Sequence, residues 1–353
     1  MTDNFIRKMA HQWQTRDGGL KIEEEGSSSH LDLAPVLSAY DAERIVSSLQ
    51  KFRLEDVGTK AWFEQHENIE KLNLQAHQSA SSCSDEFVLE AILTYDKIET
   101  LVHDLLLIEI WKEKIYPLVF DRLAGKNSMR VYFILYHEAT LINFFEILLF
   151  HKHFCEAGGE LMIEFVDYSA RKLTKVASGY NFRLCEPMTD LINKYKSAQT
   201  SKEDLEVMFA SKSPEEELEK HLNEIEFRVC ISSCSIIRFL CENAECLTLS
   251  TVTRIADTHD ILMLVIPLIE NPPWTRRLTS GKWQKLVDYK WKEVPPIDLL
   301  KITKLEGQPW LTLYHILAKK VRHHLNLACA YVSNLFLGSA YVYIQILLDL
   351  SFS

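Results

Sequence analysis

The sequence predicts an all-α protein, an armadillo- or HEAT-like helical array of αα-hairpins, and three observations carry that expectation. Glycine and proline are scarce, 11 and 10 in 353 residues, too few for the many turns of a β-rich fold. Apolar residues recur every three or four positions through most of the chain, and hydrophobic residues make up 47% of it, ample for a sizeable core. The stretch from Leu247 to Glu270 reads as short helix, turn, apolar helix. That is the unit of arrays in which each layer buries its face only against its neighbours, although no fixed period recurs along the chain.

Residues 1–29 mix charge, Gln, Gly and Ser without an apolar period and read as a disordered arm. The helical domain is expected over 30–318. Leu33, Leu37 and Tyr40, then Ile45, Val46, Leu49 and Phe52, mark short helices separated near Asp41. Trp62 to Ala76 is an unusually polar helix for one carrying Trp, Ile and Leu at near-helical spacing, the kind that lies at a groove or domain contact. Phe87–Tyr95 and Lys97–Tyr116 follow as helices, and Pro117 ends or kinks the second.

The longest apolar pattern runs from Met129 to Val176. Val131, Ile134, Leu135, Leu141, Ile142, Phe145, Leu148 and Leu149 share one helical face opposite Tyr136, Thr140, Asn143 and Ile147. Gly158 and Gly159 end that helix, and Leu161, Phe165, Tyr168 and Leu173 restart it, which predicts an antiparallel αα-hairpin with Asp167 and Arg171 as a surface pair. Glu138 stands near the middle of the apolar stripe. A charge there requires a partner or must be neutralised, so it is expected as a structural buried polar residue.

Ser178–Ser213 reads as a surface excursion, and Pro214 opens a long helix whose first turn carries Glu215, Glu216 and Glu217 at the positive end of its dipole. Thr258 or Asp260 is expected to cap the apolar helix that Pro272 and Pro273 end. Lys282–Lys304 reads as a linker-like excursion, and Leu305–Trp310 opens a helix over Leu311–Ala318. The apolar, divergent tail is 319–353. Leu325–Leu350 is long enough to span a bilayer, behind Lys319, Lys320, Arg322, His323 and His324, which makes a membrane-tethered adaptor the alternative reading; Gly338, Asp349 and the scattered polar residues favour a terminal helix pair packed in a core.

The formal charge of −10 and absence of a basic cluster argue against a nucleic-acid partner. Eight cysteines lie among helical patterns with no signal peptide before them, as for reduced thiols in the cytosol. Cys230, Cys234 and Cys241 fit core packing better than a metal site, and no C-x-x-C knuckle exists. Phosphate loops, dinucleotide fingerprints, nucleophile elbows and H-E-x-x-H helices are all missing. Three adjacent pairs are weak acid/base candidates: His66/Glu67 suits a polar helix at a groove or domain contact, His137/Glu138 point about 100° apart on one helix, and His259/Asp260 suits a capping turn. No catalytic or metal-ligating residue is therefore predicted, and the protein is expected to be a non-enzymatic scaffold, with Trp62, His66, Glu67 and Asn68 as candidate partner-binding residues.

Ordered local runs carry a resemblance across about Leu31–Ala318. They are Trp62 with Gln65–Asn73, Glu109–Lys112, His137–Ala139 with Ile142–Asn143 and Phe150–Lys152, Val166–Tyr168 with Arg171–Thr174, Leu249–Thr251 with Arg254 and Thr258–His259, Pro273–Trp274 with Arg276–Arg277, and Lys304–Gln308 with Trp310. These resemble the zinc finger MYND domain-containing protein 10 family of axonemal dynein arm assembly factors. The resemblance implies a co-chaperone adaptor in the cytoplasm, at centriolar satellites or in the apical region of ciliated cells. It implies dynein chains, heat-shock chaperones, an immunophilin co-chaperone and a leucine-rich-repeat dynein assembly factor as partners. The family's C-terminal cysteine/histidine finger is not matched, so no cofactor is expected and zinc ions only where such a finger is present.

Overall fold

A computed structural model describes residues 37–123, 128–178, 214–287 and 290–318. The expected arm at 1–29, the tail at 319–353 and nearly all of the surface excursion lie outside them. Ser38 caps α1 (Ala39–Ser48), its hydroxyl accepting from the Asp41 amide, and Thr59 does the same for α2 (Lys60–Ser82) through the Trp62 amide. α2 ends at Cys83, which takes the left-handed conformation. After α3 (Phe87–Thr94), α4 (Ile98–Ile110) does not stop before Pro117. It widens into a π turn over Trp111–Ile115 and continues as α5 (Tyr116–Leu123). A proline removes an amide and crowds the carbonyl four residues back, and the wider turn lies where an α-helix would meet that crowding.

The central helix α6 (Ser128–Phe150) departs from the expected two-faced pattern. Its apolar stripe is buried as predicted, but Ala139, Thr140 and Phe144 are buried too, so the helix is enclosed on nearly every side. Residues Arg130–Phe150 are long and apolar enough to cross a membrane, and two-thirds of that window, 67%, is buried inside the protein. The hairpin is also looser than expected. α6 stops at Phe150, and a short α7 (Lys152–Gly158) precedes α8 (Met162–Ala177), with the positive φ at Gly159. α8 joins α6 chiefly through side chains such as Phe165, whose ring meets Phe145 edge-on at 4.6 Å.

α9 (Pro214–Glu242) lies across both α6 and α8, followed by α10 (Leu249–Thr253), a second π turn at Arg254–Thr258 and α11 (Ile261–Glu270). Asp260 occupies the N-cap position of α11, but its φ is +43° and its side chain makes no capping bond. Asp167 pairs with His259 at 2.7 Å and Arg254 at 3.5 Å rather than with Arg171.

The segment read as a linker excursion is instead part of a small antiparallel sheet, β1 (Thr275–Arg277), β2 (Trp283–Val287) and β3 (Lys290–Val294), in that order. Arg276 lies 4.0 Å over the Trp291 ring, and Lys285 reaches Glu306 at 2.9 Å, fastening the sheet to α12. That last helix, Lys304–Ala318, starts ahead of Pro309 rather than after it. The protein is thus mainly α rather than wholly so. Its long helices touch in chain order, α2 on α6, α6 on α9 and α9 on α12, over one core that runs from Ala42 to Ile316.

Phe145 is fully buried between α6 and α8, whereas Tyr40 is 74% exposed. Phe145→Ala is expected to lower unfolding free energy by about 3–5 kcal/mol in urea titrations, and Tyr40→Ala to change it by less than about 0.5 kcal/mol.

Candidate functional site

Adjacent residues of α6, His137 and Glu138, are both 0% exposed and point about 100° apart around the helix. Each anchors a polar cluster. On the side of α8 and α9, Glu138 meets Lys112 from the π turn after α4, Lys172 at 2.8 Å, and the Tyr168 hydroxyl, which donates at 2.7 Å. Lys112 also contacts Glu226 of α9, and Lys172 also reaches Glu109 of α4 at 3.3 Å. Arg171 closes on Glu109 at 2.6 Å and Lys175 on Glu226 at 2.8 Å. Three carboxylates from three helices thus share four cations.

The electrostatics follow from that crowding. Burial pushes the Glu138 carboxyl up, but Lys112 and Lys172 outweigh it and hold the group below the usual carboxylate range. Glu226 behaves alike, with Lys112, Lys172 and Lys175 overriding burial to hold it far down. Burial works against the Lys172 ammonium, yet Glu138, Glu226 and Glu109 raise its pKa well above normal. The groups stay ionised and saturate one another. Glu138 is a helix-fastening charge rather than an acid or base for turnover.

From the His137 side of α6 a second chain crosses to α2 and α4. His66 Nδ1 and His137 Nδ1 are 2.8 Å apart, and His137 Nε2 lies 3.1 Å from Asp104. Glu70 approaches His66 Nε2 at 4.0 Å, and Trp62 stacks parallel on the His66 ring at 5.7 Å. Gln65 donates to Asp104 at 3.4 Å and is itself bracketed by the Gln50 backbone. Further along, Asn143 donates to Asn73 at 3.2 Å and lies 2.8 Å from His77. This polar seam explains the composition of α2: its Gln, His and Asn side chains meet matching groups on α6 and α4.

The sequence candidates divide accordingly. Trp62 and His66 are 1% and 2% exposed, so they belong to the core and offer no surface to a partner; the apolar period that places Trp62 inward carries His66, one turn on, with it. Glu67 is exposed and Asn68 half-buried. Asn68 lines a shallow groove of about 480 Å³ with Leu37, Asp41, Arg44, Ile45, Ser48 and Lys71, between α1 and α2. His66/Glu67 and His137/Glu138 do not converge as pairs; the two histidines meet each other instead. The part that Lys112, Lys172, Tyr168 and Glu226 play in the cluster around Glu138 escaped the sequence reading. The one available signal was lysine inside heavily apolar stretches, at Lys112 beside Trp111 and Lys172 beside Leu173.

Among the described residues no group of three His, Cys, Asp or Glu side chains is placed to hold a metal. Cys155, Cys234 and Cys241 lie in the core, where burial pushes each thiol up to about 12, and burial raises Cys230 further still.

The chain is similar to the zinc finger MYND domain-containing protein 10 homolog of Drosophila melanogaster, with 27% identity over 273 residues, 77% of this chain and 56% of that protein. It therefore spans about half the length of the curated relative it matches. No family model and no solved structure matches. The similarity supports the resemblance to zinc finger MYND domain-containing protein 10 read from the ordered residue runs.

Removing Glu138 leaves Lys112 and Lys172 buried with fewer counter-charges. Glu138→Ala is expected to cost about 3–5 kcal/mol by denaturant titration. Because Glu138 and Glu226 are held below their unfolded values, their contribution is complete above the ordinary carboxylate range and is lost as pH falls through their depressed values. Acid unfolding followed by circular dichroism should therefore steepen below about pH 4 in the wild type, and less so in the Glu226→Gln variant.

Proposed function

We propose that this chain is a non-enzymatic helical scaffold acting as a co-chaperone adaptor in the preassembly of axonemal dynein arms for motile cilia. The observation that carries the reading is the similarity to the Drosophila zinc finger MYND domain-containing protein 10 homolog across 77% of the chain, together with the ordered residue matches in α2, α4, α6, α8, α10 and α12. The buried chemistry supports it from the other direction. The clustered acids, lysines and imidazoles are consumed in fastening helices together, and none of them lines the groove between α1 and α2. Such an interior supports a rigid body whose outside does the work.

The partners in this reading are dynein chains, heat-shock chaperones, an immunophilin co-chaperone and a leucine-rich-repeat dynein assembly factor, met in the cytoplasm, at centriolar satellites or near the apical region of ciliated cells. The contact surface we assign is the groove beside α2, with Glu67 and Asn68 in place of the wider set that included Trp62 and His66. Asp41, Arg44 and Lys71 give it a mixed-charge rim beside the apolar Leu37 and Ile45.

Tagged protein expressed in multiciliated cells should co-purify dynein intermediate or heavy chains and heat-shock chaperones. The double variant Glu67→Lys with Asn68→Lys should keep the wild-type melting temperature and lower dynein recovery about tenfold, the effect of losing about 1.4 kcal/mol of contact. Undiminished recovery moves the contact to another surface. Absence of every dynein chain and chaperone from the wild-type eluate removes the functional reading itself.

A further inference from the structure

The chain of Glu70, His66, His137 and Asp104 contains more titratable groups than helix fastening needs, and its geometry fixes how protons are shared along it. Two imidazole nitrogens 2.8 Å apart carry one proton between them: none leaves two lone pairs in collision, and two leave hydrogens overlapping. His137 Nε2, 3.1 Å from the Asp104 carboxylate, must carry a hydrogen to donate there. With both histidines neutral, His66 Nδ1–H donates to His137 Nδ1, and His66 Nε2 is left bare. That atom has no hydrogen-bond partner, and the Glu70 carboxyl stands 4.0 Å from it. Only a protonated Glu70 can offer it a hydrogen.

A second arrangement holds the same number of protons. Glu70 gives its proton to His66 Nε2 while the His66 Nδ1 proton passes to His137 Nδ1, so that Glu70 and Asp104 are carboxylates around an imidazolium at His137. Nothing is gained or lost, and both forms carry one net negative charge. Loss of that one proton leaves two carboxylates and no cation, with Glu70 opposed to a bare nitrogen beside Trp62. Glu70 itself is 7% exposed, and Lys71 of the same helix attracts its carboxylate.

We propose that Glu70, His66, His137 and Asp104 form a proton-sharing latch that holds α2 against α6 while Glu70 keeps its proton and loosens that turn when the proton leaves. The groups facing it are known from each side. Glu67 and Lys71 flank Glu70 on α2, Asp104 comes from α4, His137 and Tyr132 from α6, and Arg228 and Glu224 from α9 face Tyr132. Burial, partly offset by His137, raises Glu70 to about 7, and burial then His137 keep His66 neutral. A carboxyl raised above its unfolded value binds its proton more tightly in the folded state, so stability falls as pH climbs from the ordinary carboxylate range to about 7 and then levels off.

Amide hydrogen exchange at pH 5.5 and pH 8, expressed as protection factors, reads the latch locally. In the wild type, protection over the α2 turns from Trp62 to Asn73 should drop about tenfold or more between the two conditions. In Glu70→Gln, whose amide donates to His66 Nε2 at either pH, protection should be equal at both. Glu146 on α6 is also raised to about 7 by burial, which its hydrogen bonds with Ser235 and Ser232 only partly offset, so Glu146→Gln serves as the control and should leave the α2 drop intact. If Glu70→Gln does not fold, ¹⁵N-labelled histidine in the wild type decides: the His66 Nε2 resonance should shift with the same midpoint as the loss of protection. A wild-type α2 equally protected at both pH values, a Glu70→Gln variant that drops as the wild type does, or a His66 resonance indifferent to pH in this range would each overturn the latch.

Discussion

The charge of Glu138 in the middle of an enclosed helix is the constraint around which the packing is arranged. A carboxylate removed from water must recover several kcal/mol of lost hydration, which one cation at moderate distance does not supply. Here Lys112, Lys172 and the Tyr168 hydroxyl supply it together. Burying those lysines then demands further carboxylates, met by Glu109 and Glu226. The requirement propagates until the partners, Arg171 at 48% and Lys175 at 34% side-chain exposure, reach water. One buried charge thus specifies where α4, α8 and α9 must lie around α6.

Such specification matters because α6 is apolar on nearly all faces. A helix whose neighbours are also Leu, Ile and Phe could rotate or slide by a turn at little cost, since hydrophobic contact is not directional. His137 and Glu138 remove that freedom. About 100° apart on the helix, they demand an imidazole and carboxylate on one side and ammonium groups on the other. The Asn143 contacts with Asn73 and His77 repeat the demand two turns along.

Much of this was legible in the sequence because helical periodicity is local. The polar helix at Trp62–Ala76, the long helix opened by Pro214 and the glutamate that needed a partner could each be read from their own neighbourhoods. The partners of Glu138 could not, since Lys112 and Lys172 stand 26 and 34 residues away in the sequence, and Glu226, which shares those lysines, stands 88 away; only packing brings them in. The three-stranded sheet escaped because strands of three to five residues rich in Lys and Trp show no sustained alternation. His66 was misplaced to the surface for a similar reason. Polarity alone argued for exposure, while its acceptor, His137, lay 71 residues downstream.

Two imidazoles and an acid meeting at hydrogen-bond distance, with a second acid 4.0 Å away, would ordinarily argue for catalysis, and the surroundings argue the reverse. A general base needs an open position beside it where a substrate atom can sit within about 3 Å. His66 has Trp62 stacked on its face, its Nδ1 engaged by His137 and its Nε2 opposed by Glu70, while His137 is occupied at both nitrogens. Every position a reactant would need is filled by the protein itself. What such a chain retains is the ability to hold or release a proton inside a helix interface, and an interface whose polar groups are so few and so specifically opposed responds to that proton by position rather than by chemistry. A scaffold gains from this arrangement what an enzyme would lose by it.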